Sequence, residues 1–137
     1  MDLNTLYRAV IMDHYKNPKN KGLKKTDPYH LVHLTNPSCG DDMRVEVWIK
    51  DGIVQDVRQE GKGCSICLSS ASVMSELLKG KTKEEAEHLI QQFYKMVKGE
   101  EVEDEVELGE AIAYAGVRDF PARSWEAASP FSGWRTD

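Results

Sequence analysis

Arg44-Val45-Glu46-Val47-Trp48-Ile49-Lys50-Asp51-Gly52-Ile53-Val54-Gln55-Asp56-Val57-Arg58-Gln59-Glu60 is the stretch that decides how this chain folds. Val45, Val47 and Ile49 alternate with Arg44, Glu46 and Lys50, the period-two pattern of a strand with one buried face. Asp51-Gly52 then supplies two residues that tolerate positive φ, the requirement of a tight hairpin turn, so residues 53–60 should return antiparallel to residues 44–50.

Upstream, Leu3, Leu6, Tyr7, Val10, Ile11 and His14 recur at three- and four-residue steps. That spacing predicts an amphipathic helix over residues 3–16, ended before Pro18, and residues 29–35 read as extended. Downstream, Gly61-Lys62-Gly63 breaks the second strand, and an apolar helix with Leu68, Ala71, Met74, Leu77 and Leu78 follows as far as Gly80. Thr82 and Glu85 form a capping-box signature for a helix that buries Ala86, Leu89, Ile90, Phe93 and Val97 and closes at Gly99. The acidic residues 100–107 read as a loop, and a short helix near residues 108–115 precedes a turn at Gly116. After Pro121 the pattern fades, because Pro130 and Gly133 interrupt any helix. Strands early and helices late predict an α+β domain, its helices covering one face of a small antiparallel sheet of about three strands. No repeat or linker divides the chain, and 137 residues suit one core, so residues 1–137 are read as a single domain.

Eighteen basic and twenty-three acidic residues leave a formal charge of -5, which argues against nucleic acid as a partner. No apolar run approaches the roughly 18 residues of a membrane span, so no membrane role is expected. Met1-Asp2-Leu3-Asn4-Thr5 lacks the basic start and apolar stretch of a secretory signal, and the cytoplasm is the expected location. Two charge runs stand apart. Five lysines and no acid lie between Lys16 and Lys25, and six acids and no base between Glu100 and Glu107. Each is read either as a solvated face or as a polar docking surface for a protein.

Cys39, Cys64 and Cys67 are an odd number of thiols for a disulfide framework, which directs attention to thiolate chemistry or metal ligation. Hairpin pairing should carry the Cys39 loop and the Cys64 loop to one end of the sheet. Cys39 and Asp41 are two residues apart in an extended segment and can approach one ion, with Gly40 permitting the bend. Two thiolates and a carboxylate, from Cys39, Cys64 and Asp41, make a zinc set that needs one more donor. Three other readings stay open: cysteines as small buried hydrophobes with Asp41 stabilising a turn, a Cys64-x-x-Cys67 redox pair at a helix start, and a zinc shell of Cys64, Cys67, Cys39 and Asp41. His30 and His33, three apart in a strand, should point to opposite faces and not chelate together. His14 and His88 read as structural or solvated.

Four ordered motifs carry a family resemblance: Asp13-His14-Tyr15-Lys16-Asn17-Pro18 with Asn20; Asn36-Pro37-Ser38-Cys39-Gly40-Asp41; Gly61-Lys62-Gly63-Cys64-Ser65-Ile66 followed by Ser69 to Met74; and Gly116-Val117 with Phe120-Pro121-Ala122-Arg123. From about Leu3 to Arg123 the chain resembles the SufU subgroup of the IscU/NifU-like iron-sulfur cluster assembly proteins, and the acidic segment near Glu100 to Leu108 resembles the insertion that marks that subgroup. The resemblance implies a zinc-bound sulfurtransferase partner of a pyridoxal-phosphate cysteine desulfurase (SufS-like), relaying sulfur toward a SufB-like cluster scaffold. It implies Cys39 as the residue that accepts sulfur, and Cys39, Asp41 and Cys64 as metal ligands. The alternative it implies is a scaffold binding iron or an iron-sulfur cluster. The family's third cysteine position is occupied here by Glu126, in an atypical segment that starts near residue 124. Glu126 through oxygen or Cys67 through sulfur is then the expected fourth ligand; loss of full activity and of core-covering apolar surface is the other outcome.

Overall fold

In the computed structural model, which describes residues 3–36, 41–102 and 105–119, the chain runs α1 (Leu3–Lys16), β1 (His30–Asn36), β2 (Asp41–Lys50), β3 (Ile53–Lys62), α2 (Ser65–Leu78), α3 (Lys83–Val97) and a 3-10 helix over Glu105–Asp119. The three strands lie in the order β1-β2-β3, both neighbours antiparallel, as the α+β reading expects. Asp51 (φ 56) and Gly52 (φ 75) take the positive φ angles that the two-residue hairpin requires. Thr82 and Glu85 close the expected capping box around the start of α3.

One face of the sheet makes the core. Val45 and Val47 of β2 and Val54 and Val57 of β3 meet Met74 and Leu78 of α2, Leu89, Phe93 and Val97 of α3, and Tyr114. Tyr114 is fully buried, edge-on to Phe93 at 5.8 Å, and its hydroxyl donates to Ser69 Oγ at 2.6 Å. Burial pushes its phenol well above the ordinary range.

Three expectations need correction. The last acidic residues, 105–107, belong to the 3-10 helix rather than to a loop, and that helix breaks at Gly109 (φ 53) instead of turning at Gly116. Among its described side chains, the apolar stripe of α1 is covered except at Leu6, which is 47% exposed: Tyr7, Val10 and Ile11 are half-buried against the core. A polar seam continues this contact. His14 is buried with Nδ1 2.7 Å from Ser72 Oγ and Nε2 3.0 Å from Glu110 Oε2, tying α1 to α2 and to the 3-10 helix. Ser72 Oγ also accepts the Lys19 N–H at 2.7 Å, so its own proton can go to Nδ1 while Nε2–H donates to Glu110.

The third correction concerns Glu46, which alternation places on a solvated face. It is only 3% exposed, and its carboxylate accepts the backbone N–H of Lys24 at 2.6 Å and of Lys25 at 3.0 Å. Residues 17–29 form a strap that wraps round the edge of β3 onto the second face of the sheet. Lys21 bridges Gln59, Gly22 N–H donates to Gln59 O, and Arg58 donates to the carbonyls of Gly22 and Lys21. The strap ends at Tyr29, whose ring lies 5.9 Å from Trp48 and whose hydroxyl donates to Asp56 at 2.6 Å. Lys79 Nζ is 2.9 Å from Asp56 on its other oxygen.

Two outcomes test this strap. Glu46→Ala leaves two N–H groups without their acceptor and should cost about 1–3 kcal/mol in urea unfolding. Burial opposes the charged form of Asp56, but the hydrogen bonds from Tyr29 and Lys79 and the Lys79 charge outweigh it and hold its carboxyl below the ordinary 3.8. A depressed carboxylate stabilises the fold above its unfolded pKa, and that contribution drains away as pH falls below about 4 through the folded value. Urea midpoints measured from pH 7 down to pH 3 should therefore fall more steeply in the unmodified protein than in Asp56→Asn.

Candidate functional site

Register positions the candidate site. Asn36 pairs with Asp41 where β1 meets β2, and Asp42 pairs with Lys62 where the β2–β3 hairpin opens. Both ends fall at the same edge of the sheet. Cys64, two residues past Lys62, is the N-cap of α2 (φ -74, ψ 170), and its Sγ accepts the Cys67 N–H at 3.4 Å. The start of β2 and the start of α2 are thus brought together, as the hairpin argument expects.

The expected ligands meet different surroundings. Cys64 is half-buried at the N-terminal end of α2. Cys67 is fully buried in a small cluster with Met43 and Ala71. Both are thiols. Asp41 is described by its backbone at the head of β2, two residues before Met43. Cys39, in the connection between β1 and β2, and Glu126 lie outside the described residues. Among the described residues, no three His, Cys, Asp or Glu side chains gather as a metal cluster.

Gly61 does not break β3, as its sequence context suggests; it pairs with Met43. A Cβ there would stand 2.2 Å from the Asp42 carbonyl oxygen and 2.9 Å from Met43 Cα. No side chain fits between these strands, so glycine permits the close pairing that sets Asp41 beside the chain entering α2.

Two features escape a reading by residue type. His33 and His30 do alternate along β1, but His33 Nε2 lies 2.5 Å from Asp42 Oδ1, one residue past Asp41. The register reveals the pair: Thr35 faces Asp42, and His33 is the diagonal neighbour. The other feature is the serine face of α2. Ser69, Ser72 and Ser75, at three-residue steps, are fully buried and bond to Tyr114, to His14 and Lys19, and to Asn20. That spacing is visible in the sequence; its partners are not.

The NifU-like N-terminal domain matches residues 6–127. The chain is 45% identical over 132 residues to the zinc-dependent sulfurtransferase SufU of Bacillus subtilis, covering 92% of this chain and 88% of that protein. It is 42% identical to the iron-sulfur cluster assembly scaffold protein IscU of Streptococcus pyogenes, covering 88% of this chain and 75% of that one. Among solved structures, a chain from Fervidobacterium islandicum described as a cluster assembly scaffold of the SUF system superposes with a TM-score of 0.78 at 31% identity, over 93% of both chains.

Gly61→Ala should open the β2–β3 pairing at this edge. The expected loss is at least about 2 kcal/mol in urea unfolding, with faster amide exchange at Met43 than at Val54, far along the same hairpin.

Proposed function

The chain belongs to the NifU-like N-terminal domain family as a SufU-type member, and on that footing we propose that it is a zinc-dependent persulfide acceptor serving a pyridoxal-phosphate cysteine desulfurase. The observation that carries the reading is the shared edge of the sheet, where the Asp41 end of β2 and the Cys64 cap of α2 are held together by the Asp42–Lys62 pairing. The likeness to the Bacillus zinc-dependent sulfurtransferase supports it.

Cys39, Asp41 and Cys64 would hold the metal, with Glu126 or Cys67 as fourth ligand. The donor set suits zinc, which takes thiolate and carboxylate ligands in a tetrahedral shell, and Cys64 is half-buried at the start of α2. The full burial of Cys67 against Met43 and Ala71 favours Glu126 for the fourth position. When bound, zinc keeps its cysteine sulfurs deprotonated. The Cys39 thiolate attacks the outer sulfur of a persulfide on the desulfurase. A new S–S bond forms on Cys39, the donor's S–S bond breaks, and the donor thiolate leaves with the electron pair, so no outside oxidant or reductant enters. A SufB-like scaffold in the cytoplasm is the downstream acceptor in this scheme.

The likeness to the Streptococcus scaffold favours a second reading, in which a cluster is built on the same ligands. Anaerobic reconstitution with iron and sulfide separates the two: a coloured, transferable cluster supports the scaffold, and a colourless zinc form supports sulfur transfer.

The zinc-loaded protein should raise desulfurase turnover, and Cys39→Ala should return it to the rate of the desulfurase alone; unchanged turnover on adding the loaded protein rejects the proposal. Metal analysis should show about one zinc per chain, retained in Cys67→Ser and lost or weakened in Glu126→Ala if Glu126 is the fourth ligand.

A further inference from the structure

The lysine run survives folding as a prepared surface. Lys19, Lys21, Lys24 and Lys25 of the strap, with Lys16 at the adjoining end of α1, are all exposed, while the strap is fastened through its backbone. Lys24 and Lys25 give their N–H groups to Glu46, Leu23 gives its N–H to Glu60 Oε1 at 3.2 Å, and Gln59 N–H donates to Asn20 O at 2.9 Å. The nearby carboxylates Glu46 and Glu60 are therefore turned onto backbone donors. Among the described residues the ion pairs use His14, His33 and Lys79, and none uses a strap lysine.

Position gives this surface its meaning. Glu60, which holds Leu23, is two residues before Lys62, and Lys62 pairs with Asp42 at the edge that carries Cys64. A partner that reaches that edge buries on the order of 800 Å² on each side, a patch roughly 30 Å across, and Leu23 of the strap is bonded only two residues of β3 away from it. Beside the strap runs a groove of about 650 Å³, with Leu23 and the half-exposed Leu31 on its walls. A net charge of -5 over the whole chain disfavours the extended phosphate contacts of a nucleic acid, whereas a local acidic patch on a protein needs only these lysines.

We infer that the strap lysines seat an acidic patch of the sulfur-donating desulfurase, with an apolar side chain of that partner entering the groove at Leu23 and Leu31. This rests on the sulfur-transfer reading. The lysines steer encounter and hold register, and the transfer itself needs only the cysteine edge.

The test is binding of the full chain to the desulfurase, titrated in salt, for the unmodified protein, for the fivefold Lys16/Lys19/Lys21/Lys24/Lys25→Gln variant and for Lys98→Gln at the end of α3. Glutamine keeps every backbone bond of the strap. The fivefold variant should bind at least tenfold more weakly at low salt, lose most of its salt dependence, and show its defect as a raised half-saturating concentration. Lys98→Gln should behave as unmodified. Affinity and salt slope within twofold of the unmodified protein, alongside an inactive Cys39→Ala, would overturn the strap inference and leave sulfur transfer standing. If the unmodified chain binds no desulfurase at any salt, both fall. Lysine-dependent binding to phosphatidylglycerol vesicles or to an oligonucleotide, with desulfurase binding unaltered, would also overturn it.

Discussion

Ten residues of β2 lie antiparallel to ten of β3, and this pairing sets where every other element must go. The tight turn at Asp51-Gly52 starts the pairing, a register shift between Trp48 and Ile49 moves it by one residue, and at the far end Asp42 faces Lys62. That edge closes only because Gly61 has no side chain to push Asp42 and Met43 away. One face of the pair supplies the valines on which α2 and α3 pack. The other face would be open without the strap, which is held by hydrogen bonds along its length and by the Tyr29–Trp48 ring contact at its end.

The arrangement divides labour between packing and hydrogen bonding. Apolar burial holds α3 and the 3-10 helix, through Phe93, Leu108 and Tyr114. The N-terminal third is attached by directed bonds: His14 to Ser72, Asn20 to Ser75, the strap amides to Glu46, and Tyr29 to Asp56. Such bonds add little net stability one by one, yet each leaves a buried group unsatisfied if its partner is lost. They fix geometry more than they add stability. A frame of this kind keeps the edge bearing Cys64 in place while lysine side chains on the outside stay in water.

At the edge itself two cysteines three residues apart have separate characters. Cys67 sits in the first turn of α2 and is packed away with Met43 and Ala71, whereas Cys64 caps the helix and is only half-buried. The helical period accounts for this, since a cap residue leaves the helix axis while the residue in the first turn already follows the buried stripe.

From the sequence alone one can read the hairpin with its turn, the capping box at Thr82 and Glu85, the α+β architecture and the convergence of the Cys64 segment with the start of β2. These depend on periodicity and on residues a few positions apart, interactions that the linear order already contains. The burial of Glu46, the serine seam, the His33–Asp42 pair and the passage of β3 through Gly61 belong to the tertiary structure. Each depends on a partner brought from elsewhere: Lys24 lies 22 residues from Glu46, and Ser72 lies 58 from His14. A pattern of polar and apolar residues says which positions face inward in an isolated element. It does not say that a carboxylate on the outer face will be covered by a strap, because that burial is decided by which backbone N–H groups the folded chain presents to it.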